Sequence, residues 1–205
     1  MVTNHYVITG CAGSGTAWAA RVMTRLGSVC GHQRMYRVDG VHPQSGLEGD
    51  SSFFAMGLPH DGPMVVLVRN PIAVVRSLDQ AFGFLTNQTY HDRLTTSFIL
   101  AHRPHVLQAK DRLGRILRYV ATWDAVSATR LHVDHGHPGR VADIYRHLTG
   151  RKVTRLQAQA VLNTVGTRTN SHGGPRSQVT WDAVLAHPDG QGVVDKAHKW
   201  GYEVG

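Results

Sequence analysis

Three glycines in six residues, Gly10, Gly13 and Gly15, separate a short apolar run from a helical pattern, and no other stretch restricts the fold so tightly. Tyr6, Val7 and Ile8 read as a buried strand, and Trp18, Val22 and Leu26, four residues apart, read as one face of a helix. A strand that turns through glycines directly into a helix is the opening unit of a parallel α/β sheet. Such a turn also attracts anions. The first amides of a helix have no partner within it, and the aligned peptide dipoles add partial positive charge there. Glycine lets the backbone adopt left-handed angles and approach a phosphate closely.

The spacing Gly10 to Gly15 is that of the phosphate-binding pattern GxxxxGK[ST]. The two side chains that complete the pattern are absent: Thr16 stands in place of Lys, and Ala17 in place of the Ser or Thr that holds Mg²⁺. The turn is therefore expected to hold a phosphate without transferring it, which counts against a kinase or NTPase. Later segments repeat the alternation of strand and helix. A short strand is expected around Ser28–Gly31, and residues 32–49 form an aperiodic loop. Asp50 or Ser51 would then cap a short helix, and Pro63–Val68 reads as a central parallel strand buried on both faces. That strand ends at Arg69-Asn70-Pro71, with Pro71 opening a helix over Ile72–Phe84.

Residues 91–130 read as helical with a break near Pro104, and Leu131–Asp134 as a further strand. Helices follow over Pro138–Gly150, after Thr154 (a capping box with Gln157), from about Trp181 and from about Val193; residues 165–178 form a polar glycine-rich loop. The expected fold is α/β: a parallel β-sheet flanked by helices, P-loop-like and nucleotide-binding, with a helical insertion, in a single domain over residues 1–205.

Charge narrows the partners. The net charge of +8 sits mainly in the second half, where residues 101–205 hold 15 Lys/Arg against 8 Asp/Glu. The densest cluster is Lys110, Arg112, Arg115 and Arg118. A polyanionic ligand, nucleic acid or a solvated helix face would each account for it, but no zinc-ligand spacing, RNA-binding aromatic motif or clean helix-turn-helix supports nucleic acid. Two cysteines, Cys11 and Cys30, give no disulfide framework and read as small buried residues. No apolar run is long enough for a membrane span and no signal-peptide pattern opens the chain, so the expected location is cytoplasmic. His132, Asp134, His135 and His137 lie close in sequence, but a strand followed by a Gly-Pro turn would point them apart, and no metal is expected.

Taken together, Ser14-Gly-Thr-Ala-Trp18 and Arg69-Asn-Pro-Ile-Ala-Val-Val-Arg-Ser77 resemble two motifs of the sulfotransferases that use 3′-phosphoadenosine 5′-phosphosulfate (PAPS). The first motif of that family reads roughly PxSGTTW. The second begins Arg-Asp/Asn-Pro and carries a Ser eight residues after the Arg. Gly31-His-Gln33, Gly49-Asp-Ser-Ser52 and Lys199-Trp-Gly-Tyr202 are similar to stretches of the bacterial and phage members.

The resemblance implies a nucleotide donor, PAPS, an acceptor of unspecified class, and no metal. It assigns the 5′ end of the donor to the loop Gly13, Ser14, Gly15, Thr16 and Ala17, the 3′-phosphate to Arg69 and Ser77, and the adenine to Trp18. A core tryptophan is the other account of Trp18. Gly13 departs from the basic residue usual at that place, leaving Arg168, Arg176 or the basic helix to supply charge. Gln33 stands where a glutamate base is expected, so His32 and Asp50 are the first candidates for the proton acceptor, ahead of His42 and His60. A nucleotide-binding protein without turnover is the alternative from another functional class.

Overall fold

A computed structural model describes residues 5–81, 85, 90–123, 129–134, 136–166 and 176–205. In chain order the elements begin with β1 (Tyr6–Gly10), α1 (Thr16–Arg25), β2 (Cys30–His32), β3 (Tyr36–Arg37), β4 (Gly40–Val41) and β5 (Gly49–Ser51). A 3₁₀ turn (Phe53–Gly57), β6 (Met64–Val68), α2 (Pro71–Gln80) and α3 (Tyr90–His102) follow. After a second 3₁₀ turn (Pro104–Gln108) come α4 (Arg112–Thr122), β7 (Arg130–His132), α5 (Pro138–Thr149), α6 (Arg155–Val165), α7 (Trp181–Ala186) and α8 (Gln191–Lys199). The chain divides into two compact units, Met1–Val68 with Ala125–Ser171 and Arg69–Asp124 with His172–Gly205. Each is assembled from two separate stretches, so no single linker in the sequence marks a boundary.

The first unit is α/β, as expected. Its sheet has the order β2-β5-β1-β6-β7 with every pairing parallel. After β1 the chain passes to one side (β2, β5), then returns to the other (β6, β7). The strand order therefore reverses between β1 and β6, and in open α/β sheets ligands bind outside the strand C-termini at such a point. Side chains alternate along β1. Tyr6 and Ile8 join Trp18, Val22 and Met23 of α1 and Ile144, Tyr145 and Leu148 of α5 in the larger core. Val7 faces the other way, against Met35, Tyr36 and Ala55. Cys11 and Cys30 are both buried and form no disulfide, and burial pushes the Cys30 thiol up to about 12.

Two expectations are corrected here. The first strand after α1 is Cys30–His32, and residues 32–49 contain the antiparallel ribbon β3–β4. Gly49-Asp50-Ser51, expected to precede or cap a helix, is instead a strand, and Ser52 caps the 3₁₀ turn through the Phe54 amide. These three residues have poor strand propensity, but parallel partners on both sides satisfy their backbone.

Gly49 is required at its position. A Cβ there would lie 2.2 Å from the ring of Tyr6, which is 2% exposed and whose hydroxyl donates to Ser28 Oγ at 2.9 Å. Gly49→Ala should therefore destabilise the protein by about 1–3 kcal/mol or more, read as a lower urea midpoint. An unchanged midpoint would contradict the Tyr6–Gly49 register.

The second unit is helical in its described residues, with α2, α4 and α8 packed together and α3 and α7 beside them. Asn70 caps α2 through the Ile72 amide, and Pro71 occupies the first turn as expected. Asp111 caps α4; the Gly114 amide first, and His187 second, hold its carboxyl below the usual carboxylate range. Three arginines of the basic cluster are tied down within this unit. Arg112 pairs with Asp79 at 2.6 Å and donates to the carbonyls of Leu78, Asp79 and Ala81. Arg115 donates to the Ala109 and Leu85 carbonyls, and Arg118 pairs with Asp189 at 2.7 Å. Cations so engaged act as ties between helices, an account of these three charges that needs no ligand. Among the described residues no helix is long and apolar enough to cross a membrane.

Candidate functional site

The glycine turn leaves β1 at the sheet's reversal point, and its geometry follows from its composition. The Ser14 amide donates to the Cys11 carbonyl at 2.8 Å, closing a tight turn. Gly13 and Gly15 have φ of 83° and 105°, in the left-handed region that ordinary side chains avoid. Gly10 is bare for a different reason: a Cβ there would meet Ser14 Oγ at 2.4 Å and Leu67 Cβ at 2.9 Å.

Gly15 is the N-cap of α1 and supplies no side-chain acceptor, and no acidic residue lies in the first turn. The positive end of the helix is thus left without a carboxylate of its own. Ser14, Thr16 and Trp18 are buried, while Gly13, Gly15 and Ala17 are half-buried. The accessible side of the turn is therefore mainly backbone, which suits an anion bound by amides.

Thr16 links this turn to His32, its Oγ1 lying 3.3 Å from His32 Nε2. His32 is the last residue of β2 and is exposed. The order of strands places β2 at the sheet edge with its C-terminus on the same side as that of β1. An exposed imidazole thus sits in contact with the first residue of α1.

The chain after His32 is held by β5. The Gln33 amide donates to the Ser51 carbonyl at 3.1 Å. The Arg34 amide donates to Asp50 Oδ1 at 3.1 Å, and those of Met35 and Tyr36 to Oδ2 at 3.1 and 3.0 Å. Four successive amides are thereby fixed by two residues, and Gln33 accepts a left-handed φ of 54° in the process. A Cβ on Gly31 would lie 2.5 Å from Asp50 Oδ1, so the carboxylate also needs that glycine.

Asp50 is consequently corrected from proton acceptor to loop organiser. It is 0% exposed, and both of its oxygens serve backbone amides. It also lies in register with Val7, on the face away from α1, whereas His32 and Ser51 lie in register with each other and with Ile8 on the α1 face. Trp18 receives a similar correction. It is 3% exposed within the larger core, and its Nε1 donates to the Gly166 carbonyl at 2.9 Å. A ring buried to this degree is not presented as a platform for an adenine.

Arg69 follows β6 directly in sequence and belongs to the second unit, as does Ser77, half-buried on α2. Ser77 lies seven positions after the Asn70 cap, about 10 Å along the helix axis. Arg176 is exposed, and Arg168 lies outside the described residues. In the histidine cluster, His132 ends β7 and His137 caps α5 through the Gly139 amide, while His135 lies outside the described residues. His42 lies 3.0 Å from Asp39, and His60 lies 3.4 Å from the Leu58 carbonyl.

Two buried hydroxyls bear on this site: Ser14, which the sequence reading assigned to the phosphate turn, and Ser51, which it did not single out as a site residue. Ser14 Oγ and Ser51 Oγ, on residues 1% and 0% exposed, have no hydrogen-bond partner among the described residues. Only the alternation of β5, once β5 is recognised as a strand, puts Ser51 beside His32. Compared with protein-family models, curated proteins and solved structures, the chain matches none.

Proposed function

We propose that this protein is a PAPS-dependent sulfotransferase, moving a sulfonate group to a hydroxyl or amine acceptor. The observation that carries the reading is the contact between Thr16 Oγ1 and His32 Nε2, which couples an anion-binding turn to an exposed proton acceptor. The absent Lys and Mg²⁺ ligand of the glycine turn are no obstacle, because sulfonate transfer needs neither.

In the proposed reaction the acceptor oxygen or nitrogen attacks sulfur in line with the leaving phosphate. The new bond to sulfur forms as the bond from sulfur to the 5′-phosphate oxygen breaks. The acceptor's proton passes to His32 Nε2, and the charge gathering on the 5′-phosphate is met by the amides at the start of α1. Adenosine 3′,5′-bisphosphate leaves. Arg69 offers a planar fork of donors suited to the 3′-phosphate, with Ser77 as its hydroxyl partner.

The spent donor provides the test. Adenosine 3′,5′-bisphosphate should raise the melting temperature and AMP should raise it much less, since only the former carries a 3′-phosphate. At a hundredfold excess over its dissociation constant a ligand adds about 2.7 kcal/mol, which a thermal melt resolves. Arg69→Ala should shrink the bisphosphate shift and leave that of AMP unchanged. Equal shifts from the two nucleotides would refute the roles of Arg69 and Ser77, and no shift from either would refute the donor.

A further inference from the structure

A buried hydroxyl without a partner is costly, and Ser51 carries one next to the imidazole that the proposed reaction uses. Ser51 and His32 are register partners on the adjacent parallel strands β5 and β2. Parallel neighbours lie about 4.8 Å apart and send paired side chains to the same face, here the face covered by α1. The opposite side of the ring is approached by Thr16, at Nε2. One rotation about χ1 moves a serine hydroxyl through its three staggered positions, and that is enough to sweep the space between the two strands.

We propose that Ser51 is the positioning residue of His32: in the donor-bound protein its hydroxyl accepts the Nδ1–H of the imidazole. This rests on the sulfotransferase reading. The bond fixes the tautomer in which Nε2 carries a lone pair, as a base must. The bound donor supplies the trigger. Thr16 has a single hydroxyl proton, and an anion in the glycine turn competes for it as a charged acceptor, which binds about twice as strongly as a neutral one. Nε2 is then released toward the acceptor molecule, while Ser51 takes over the task of holding the ring. The backbone around both residues is already fixed, through the Gln33 amide on the Ser51 carbonyl and the three amides on Asp50, so only side chains need to move.

Because Ser51 Oγ has no partner in the unliganded protein, its stability and functional effects should separate. Ser51→Ala is expected to melt no lower than wild type. In protein carrying ¹⁵N-labelled histidine and saturated with adenosine 3′,5′-bisphosphate, the ring nitrogens of His32 are read at a pH where the ring is neutral, with His32→Ala identifying the signals. Wild type should be protonated at Nδ1, and Ser51→Ala should relax toward the Nε2-protonated form that free imidazole prefers. With an acceptor that supports turnover, kcat should fall roughly tenfold with the KM for PAPS unchanged. Identical tautomers in the two proteins would overturn the proposal, as would a lower melt in Ser51→Ala accompanied by wild-type nitrogen shifts. A wild-type melt that does not respond to the bisphosphate would instead refute the sulfotransferase reading, and the role of Ser51 with it.

Discussion

Asp50→Ala is expected to destabilise the protein by about 3–5 kcal/mol, enough to unfold a marginal domain. The carboxylate holds the amides of Arg34, Met35 and Tyr36 in a site that is 0% exposed. Removing it leaves three amide donors with nothing to accept them, two of them buried, and each buried orphan costs about 1–3 kcal/mol, not fully additively. Asp50→Asn is the informative companion. Its amide oxygen can still accept from Met35 and Tyr36, but its NH₂ group would face the Arg34 amide, donor against donor. The Asn variant should therefore fall between wild type and Ala in a urea titration. Both should also lose transfer activity, because the turn they loosen is the one that follows His32. The pairing of effects is the test: an Asn variant with wild-type stability and no activity would make Asp50 the base after all.

His32→Ala should do the reverse, leaving stability close to wild type and lowering turnover by a factor of about 10²–10⁴. The side chain is exposed, and its contact with Thr16 is long at 3.3 Å, so little folding energy depends on it. The melting shift produced by adenosine 3′,5′-bisphosphate should be retained, since the donor is assigned to the glycine turn and to Arg69. A loss confined to kcat is what removal of a proton acceptor predicts. Full activity in the variant would mean that the acceptor reaches the site already ionised or that another group takes its proton.

The charge surplus of the second half shows how a signal in composition can have a local explanation. Lys110, Arg112, Arg115 and Arg118 suggest a basic surface when read as a string. In the folded unit Arg112 spans the carbonyls at the end of α2 and the Asp79 carboxylate, and Arg118 joins α4 to Asp189. A guanidinium has five donors, and a helix C-terminus displays unpaired carbonyls. Nothing in the sequence near Arg112 reveals that the end of α2, more than thirty residues earlier, will be its partner.

Features governed by neighbours along the chain were legible without the fold. The glycine turn, the Pro71 entry to α2, the capping box of Thr154 and Gln157, and the apolar run that became β6 each depend on conformational preferences or on hydrogen bonds a few residues apart. The α/β class followed from their alternation, and the placement of His32 near the glycine turn followed from parallel topology alone. The strand character of Gly49–Ser51 did not, because its stability comes from β1 and β2, both more than fifteen residues earlier in the chain. With that strand went the division of labour between Asp50 and Ser51. Successive residues of a strand point to opposite faces, so Asp50 turned to the Arg34–Tyr36 amides and Ser51 to the face it shares with His32. Likewise Trp18, whose spacing fits either a core or a ligand platform, became a core residue because α6 delivers the Gly166 carbonyl to its indole. Tertiary structure decided these residues because their partners are distant in sequence, and a hydrogen bond or a buried face exists only once both partners are in place.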